Sequence, residues 1–312
     1  MVSFSKKSWN RIWRTIIISL FAFIIISLTL TKVIYDFTFS RYDVSASIPE
    51  SLFDFIDKRR EVSFKSGENN LCGYFYEGTS KSLVVLVTGY KAVADDYIWQ
   101  IKELSDKGYG VFTFDTTGYL KSEGKDARGF AQTVYDLKCA LDFLEVNNRF
   151  GYENIYLLGH SRGAYAVLSV LDDGYDIKAA VSISGVNSSM EAIIQPAADK
   201  VGFLSYINYP FLWLYQITLF DKETLNTKGA ENIINSNIPV LVVQGENDNT
   251  YPKEKYSVFS HIEKEDKKVT LLVMDQEGSD GHTNLLFESD GTANDRLLKN
   301  IDIFFKNQGE EE

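Results

Sequence analysis

Short apolar runs recur along most of the chain, at Leu83–Val87, Val111–Phe114, Ile155–Leu158, Ala179–Ile183, Pro239–Val243 and Val269–Met274. None alternates strictly between apolar and polar positions, the pattern of strands covered on both faces. Between these runs the period lengthens. Asp95 to Lys107 has helical spacing and stops at Gly108, a natural C-cap. Phe130, Val134, Leu137, Leu141 and Leu144 share one helical stripe, and Leu297, Leu298, Ile301, Phe304 and Phe305 share another. Strands alternating with helices predict an α/β fold, a mostly parallel central sheet with helices on both faces. Glu61–Lys65 and Leu71–Tyr76 predict a leading hairpin.

One interval breaks the rhythm. From about 186 to 237 no strand is evident, and Phe203, Tyr206, Tyr209, Phe211, Trp213, Tyr215 and Phe220 crowd the stretch, with Pro196 and Pro210 as helix breakers. It reads as a helical cap inserted above the sheet edge. Its aromatics either line an apolar substrate pocket or pack a core of their own. No internal repeat or low-complexity tract is visible.

The amino terminus has a different pattern. Thr15 to Thr31 carries no charge between Arg14 and Lys32, a length at the short end of a membrane span. Lys6, Lys7, Arg11 and Arg14 precede it, with Trp9 and Trp13 where interfacial aromatics belong. Positive charge is sparse after it until Lys58. This predicts a single transmembrane helix with residues 1–14 in the cytoplasm and the body outside the cell membrane. A cleaved leader would need small residues in an A-x-A arrangement, and Lys32-Val33-Ile34-Tyr35 does not supply them, so a retained signal anchor is expected. The expected organisation is a tail and anchor at 1–32, a stem at 33–60, a main domain at 61–306 containing the cap, and an acidic tail at 307–312. Within the stem, Ser51–Arg60 fits either an amphipathic helix near the bilayer or a plain spacer.

Composition narrows the chemistry. The chain has 312 residues and a formal net charge of −11; its first sixty residues hold nine Lys/Arg against five Asp/Glu, leaving the remainder at −15. An acidic body argues against a nucleic-acid partner. The two cysteines, Cys72 and Cys139, fall in a strand and a helix pattern and read as small hydrophobes rather than as a disulfide. No Cys/His cluster has metal-ligand spacing, so neither metal nor other cofactor is implied.

The candidate chemistry lies at Gly159-His160-Ser161-Arg162-Gly163. A strand run, Ile155–Leu158, precedes it, and helical spacing at 164, 167, 168 and 171 follows. Strand, Gly-x-Ser-x-Gly, helix is the context in which a serine is held on a strained turn as a nucleophile. A serine hydroxyl needs an adjacent base, and the chain has three histidines. His160 lies inside the turn and is expected to pack beside the site, and His261 opens a charged run. His282 follows the last strand in a glycine-flanked loop, where loops of a parallel sheet converge, and is the expected base. The loop after Pro239–Val243 offers Asp248 as the carboxylate that orients it, with Glu246 in reserve; Asp275 and Asp280 lie too close to His282 along the chain. Backbone N–H groups of Arg162 and of Tyr90, in Thr88-Gly89-Tyr90, are the expected oxyanion donors.

Together these residues resemble the α/β-hydrolase superfamily, especially its capped, serine-aminopeptidase-like and lysophospholipase-like members. The resemblance spans about residues 61 to 306 and rests on Gly159–Gly163, Gly245-Glu246-Asn247-Asp248 and Gly281-His282. It extends to Asp115–Gly124, similar to the family's Asp-x-Arg-Gly-x-Gly-x-Ser segment, with Thr117 and Leu120 in place of its arginine and second glycine and Thr88 where a histidine usually precedes the oxyanion glycine. It implies an α/β-hydrolase fold and, joined to the apolar amino terminus, leads to the expectation of a membrane-anchored serine hydrolase acting through Ser161, His282 and Asp248. An ester, thioester or amide of a small-molecule or lipid-like acyl substrate is the expected target, with peptides also open. The rival expectations are an acyltransferase, or a ligand-binding or sensing protein on the same scaffold.

Overall fold

The computed structural model describes residues 6–262 and 268–309, with side chains from Trp9 onward. The first residues of the expected cytoplasmic tail, the charged run Glu263–Lys267 and the last three residues of the expected acidic tail lie outside the described residues.

Eight strands form one sheet: β1 (Arg60–Ser66), β2 (Asn69–Tyr76), β3 (Ser82–Val87), β4 (Gly110–Phe114), β5 (Asn154–His160), β6 (Ala179–Ile183), β7 (Val240–Gly245) and β8 (Val269–Met274). Their spatial order is β1-β2-β4-β3-β5-β6-β7-β8. The hairpin β1–β2 and the β2–β4 pair are antiparallel, and every later pair is parallel. In β3, Leu83, Val85 and Val87 enter one core cluster while Val84 and Leu86 enter the other. A strand whose two faces are both dry has no polar position to alternate with, hence the continuous apolar runs.

The helices are α1 (Lys6–Thr38), α2 (Phe53–Ile56), α3 (Ile98–Asp106), α4 (Phe130–Val146), α5 (Arg162–Ser169), α6 (Ser189–Val201), α7 (Leu204–Gln216), α8 (Lys222–Asn226), α9 (Gly229–Asn235) and α10 (Asp295–Gly309). Helices α4 and α5 cover one face of the sheet, and α3 and α10 the other. The interval without strands holds α6 to α9, inserted between β6 and β7.

Helix α1 is long and apolar enough to cross a membrane, over Trp9–Thr38. It continues past Thr31 through the first residues expected as stem. Its amino-terminal half projects from the body, whereas Ser27, Thr31, Tyr35 and Phe39 are buried against it. These four are spaced by four residues, one face of a helix.

Of the two readings open for Ser51–Arg60, an amphipathic helix or a plain spacer, the segment forms no continuous helix. A 3-10 turn at Glu50–Leu52 leads into the single turn α2, and Arg60 already belongs to β1. Leu52 is buried and Phe55 stacks on Tyr76 with ring centroids 5.1 Å apart. Leu52, Phe55 and Ile56 therefore pack on the protein's own body, whereas Phe53 is exposed. Cys72 in β2 and Cys139 in α4 are both free thiols.

Candidate active site

Strand β5 ends at His160 and α5 begins at Arg162, so Ser161 alone makes the turn. Its backbone has φ 54° and ψ −114°, a conformation that L-residues avoid and that marks strain held by its surroundings. Two glycines permit the tight packing. A Cβ on Gly163 would lie 2.0 Å from the Val87 carbonyl oxygen, and one on Gly159 would lie 2.4 Å from the Gly163 oxygen. The Ser161 N–H donates to the Ile183 carbonyl at 2.8 Å, tying the turn to β6.

Three side chains from separate loops meet here. His282 Nε2 lies 2.8 Å from Ser161 Oγ, and His282 Nδ1 lies 2.8 Å from Asp248 Oδ2. The carboxylate can only accept, so Nδ1 carries the proton and the bare Nε2 accepts from the serine hydroxyl. Asp248 is fixed by four donors. Its Oδ1 accepts from the N–H of Thr250 and of Tyr251, both at 2.9 Å, and its Oδ2 accepts from Gln244 Nε2 at 2.8 Å besides His282. Burial alone would raise its pKa. The hydrogen bond and charge of His282, with the two backbone N–H groups, outweigh burial and hold it below the ordinary aspartate value. Glu246, the reserve acid, pairs with Lys253 instead. Asp280 accepts from Asn247, and Asp275 pairs with Arg296. His261 is exposed, its ring bonded to the Ser257 carbonyl.

His160 has a role that spacing along the chain does not reveal. It is fully buried, with Nε2 2.9 Å from the His282 carbonyl oxygen and Nδ1 2.8 Å from the Tyr97 hydroxyl. A carbonyl only accepts, so Nε2 donates to it and Nδ1 accepts from Tyr97. The Tyr97 oxygen in turn accepts the N–H of Gly89 at 2.9 Å. A neutral imidazole thus links the loop after β3 to the loop bearing His282. Burial, then the neighbouring His282 charge, pushes its pKa down to about 3.

The loop after β3 is braced from the Asp115–Gly124 segment. Asp115 accepts from the N–H of Ala94 at 3.1 Å and from the Tyr74 hydroxyl at 2.8 Å, and burial pushes its pKa up to about 6. The Tyr119 hydroxyl accepts the N–H of Lys91 at 3.0 Å. With Gly89 and Lys91 engaged, the Tyr90 N–H between them has no protein acceptor among the described residues. Arg162 is the first residue of α5, where a backbone N–H has no intrahelical acceptor. Its side chain is fully buried, donating to Thr116 Oγ1 at 3.0 Å and to the Tyr119 hydroxyl at 3.2 Å.

A cavity of about 330 Å³ opens beside Ser161, walled by Tyr42, Tyr90, Asp96, His282, Leu286 and Phe287 among others. None of its lining residues comes from the cap. Tyr42 arrives from the stem, paired with Tyr119. Of the cap's aromatics, Phe211 and Phe220 are buried, Trp213 and Tyr215 are partly covered, and Phe203, Tyr206 and Tyr209 face outward. The pocket-lining expectation for these rings is therefore not met by this cavity.

Residues 78–228 match the family model described as serine aminopeptidase, S33. The human protein ABHD12B is 26% identical over 186 residues, taking in 55% of this chain and 48% of that protein, so the chain spans about half the length of this relative. Among solved structures, the Pyrococcus furiosus esterase Pf2001 superposes with a TM-score of 0.64 at 19% identity, covering 86% of this chain and 98% of that one. The Pyrococcus horikoshii acylaminoacyl peptidase superposes with a TM-score of 0.57 at 16% identity, covering 80% of this chain and 41% of that one.

Proposed function

Starting from a chain that has the α/β-hydrolase fold, we propose that it is a membrane-anchored serine hydrolase working through Ser161, His282 and Asp248. The observation that carries this reading is the pair of 2.8 Å contacts on either ring nitrogen of His282. They set the one tautomer that makes a serine oxygen nucleophilic.

In this mechanism Ser161 Oγ attacks the substrate carbonyl carbon as His282 Nε2 takes its proton. Asp248 remains ionised, holds Nδ1–H and stabilises the imidazolium. The tetrahedral oxygen is received by the N–H groups of Tyr90 and Arg162. His282 then returns the proton to the leaving group, giving an acyl-Ser161 ester. Water, deprotonated by the same imidazole, releases the acid and restores the hydroxyl. The His160 bridge sets the distance between the oxyanion loop and the base loop.

The substrate reading is an acyl ester of lipid-like character. Tyr42, Tyr90, Leu286 and Phe287 give the cavity apolar and aromatic walls, and Tyr90 donates its hydroxyl to the carbonyl of Thr38 at the end of α1. The pocket therefore opens beside the apolar helix. By charge placement around α1, the body faces the extracytoplasmic side. A fluorophosphonate probe tests the chemistry: wild type is expected to label and Ser161→Ala to remain unlabelled. Equal labelling of both, or none of wild type, would contradict the proposal.

A further inference from the structure

The cap carries a second apolar stretch. From Val201 to Phe220, between Lys200 and Asp221, there is no charged residue: VGFLSYINYPFLWLYQITLF. Helix α7 occupies its centre. Phe211, Leu212 and Gln216 turn inward and are buried, but Phe203 is 71% exposed, and Val201, Leu204, Ile207 and Leu214 are exposed too. So many exposed apolar side chains in one short stretch mark a partner surface.

What it lies beside identifies that partner. Helix α7 packs on α1: the rings of Phe211 and Phe23 are 5.8 Å apart, and Asn208 Nδ2 donates to Thr31 Oγ1 at 2.8 Å. The Tyr215 ring sits 5.3 Å from that of Tyr35, and its hydroxyl donates to Asp36. Phe23 and Thr31 both belong to the charge-free run Thr15–Thr31. At 1.5 Å rise per residue, Phe23 is about 13 Å along the helix from Lys32, well within a hydrocarbon layer of about 30 Å. A helix touching α1 at those positions occupies the same depth as they do. Polar partners at one end of the contact (Lys32, Asp36 and the Tyr215 hydroxyl) are placed as an interface would place them.

We infer that the cap helix α7 is embedded in the same bilayer leaflet as the carboxy-terminal half of α1, its exposed apolar side covered by lipid. The body is then held by two contacts in a fixed orientation, with the mouth of the Ser161 cavity near the membrane surface. This inference rests on the proposed membrane-spanning role of α1 and not on catalysis.

The test uses the full chain in phosphatidylcholine vesicles. Single cysteines at Ile18, Phe203, Ile207 and Val146, in a background with Cys72 and Cys139 replaced by serine, carry an environment-sensitive fluorophore. Ile18 reports the span, and exposed Val146, at the end of α4, reports water. Lipids with a nitroxide at acyl carbon 5 are expected to quench the labels at 203 and 207 several-fold more than that at 146, while aqueous iodide does the reverse. Should 18 be quenched by lipid while 203 and 207 behave like 146, the inference is overturned and the anchor stands. Labels at 203 and 207 shielded from both quenchers would mean that protein covers the patch, which also overturns it. If 18 itself is not quenched, the spanning role fails and the inference fails with it.

Discussion

Asp248→Asn changes one atom and reverses a hydrogen-bond pattern, which makes its outcome calculable. Asp248 Oδ1 receives two backbone N–H groups, from Thr250 and Tyr251. An asparagine must keep its carbonyl oxygen there, or leave two donors unpaired at about 1–3 kcal/mol each. Its NH₂ then occupies the Oδ2 position, facing Gln244 Nε2 and His282 Nδ1, both of which now donate. Gln244 cannot readily turn over, because its Nε2 also serves the Tyr251 carbonyl and its Oε1 accepts from Ser257. His282 can escape the clash only by moving its proton to Nε2. That nitrogen faces Ser161 Oγ and can then no longer take the serine proton. In the serine-protease arrangement with the same logic the loss is about 10⁴ in kcat, and a similar loss is expected here with KM little changed. Hydrolysis of a p-nitrophenyl acyl ester by detergent-solubilised wild type and variant measures it. An Asp248→Asn protein that folds and keeps kcat within tenfold of wild type would refute the argument.

Other consequences follow from individual contacts. Gly163→Ala forces a Cβ to within 2.0 Å of a backbone oxygen, so a loss of about 3 kcal/mol or failure to fold is expected. Gly67→Ala meets nothing within 4 Å, has only its φ of +57° against it, and should cost about 1–2 kcal/mol by chemical denaturation. His160 is neutral when folded because its pKa is pushed down to about 3, below the unfolded value of about 6.5. Between those values the unfolded chain binds the extra proton, so stability falls as pH drops; at pH 5 the loss is about 2 kcal/mol. Asp115, raised to about 6, acts in the opposite sense over the same range. The difference between wild type and His160→Gln, measured by denaturation at pH 7.5 and pH 5, isolates the histidine; parallel pH dependences would contradict the assignment. Tyr119→Phe leaves the Lys91 N–H and one Arg162 nitrogen without an acceptor, and is expected to lower stability by about 1–3 kcal/mol.

The six apolar runs read from the chain correspond to β3 through β8; strands dry on both faces leave such runs unbroken, and the edge strand β8 keeps an apolar run although most of it is only partly buried. His282 and Asp248 were singled out by elimination among three histidines and, with Glu246 in reserve, the loop after β7; the fold brings Asp248 within 2.8 Å of His282 and His282 within 2.8 Å of Ser161. The His160 bridge was not reachable. Its partners, Tyr97 and the His282 carbonyl, lie far along the chain, and a ring's direction within a turn depends on tertiary packing. Tyr42 entered the pocket for a similar reason: the pairing of its backbone with Tyr119 leaves no periodic trace. The stem stayed open because Leu52, Phe55 and Ile56 fit a membrane-facing helix and a sheet-facing turn equally well. For the cap, the crowding of aromatics between 203 and 220 was visible, but their exposure was not, because composition does not say which side of a helix is covered.

The proposed chemistry requires an acyl group joined to Ser161 Oγ. Rapid acid quenching of the full chain during turnover of an acyl p-nitrophenyl ester, followed by proteolysis and mass spectrometry, looks for that adduct. The expected result is the acyl mass on the peptide containing Ser161, accumulating ahead of steady state and absent from Ser161→Ala and His282→Ala. Turnover with no acyl adduct at Ser161, or with the adduct on another residue, would contradict the account.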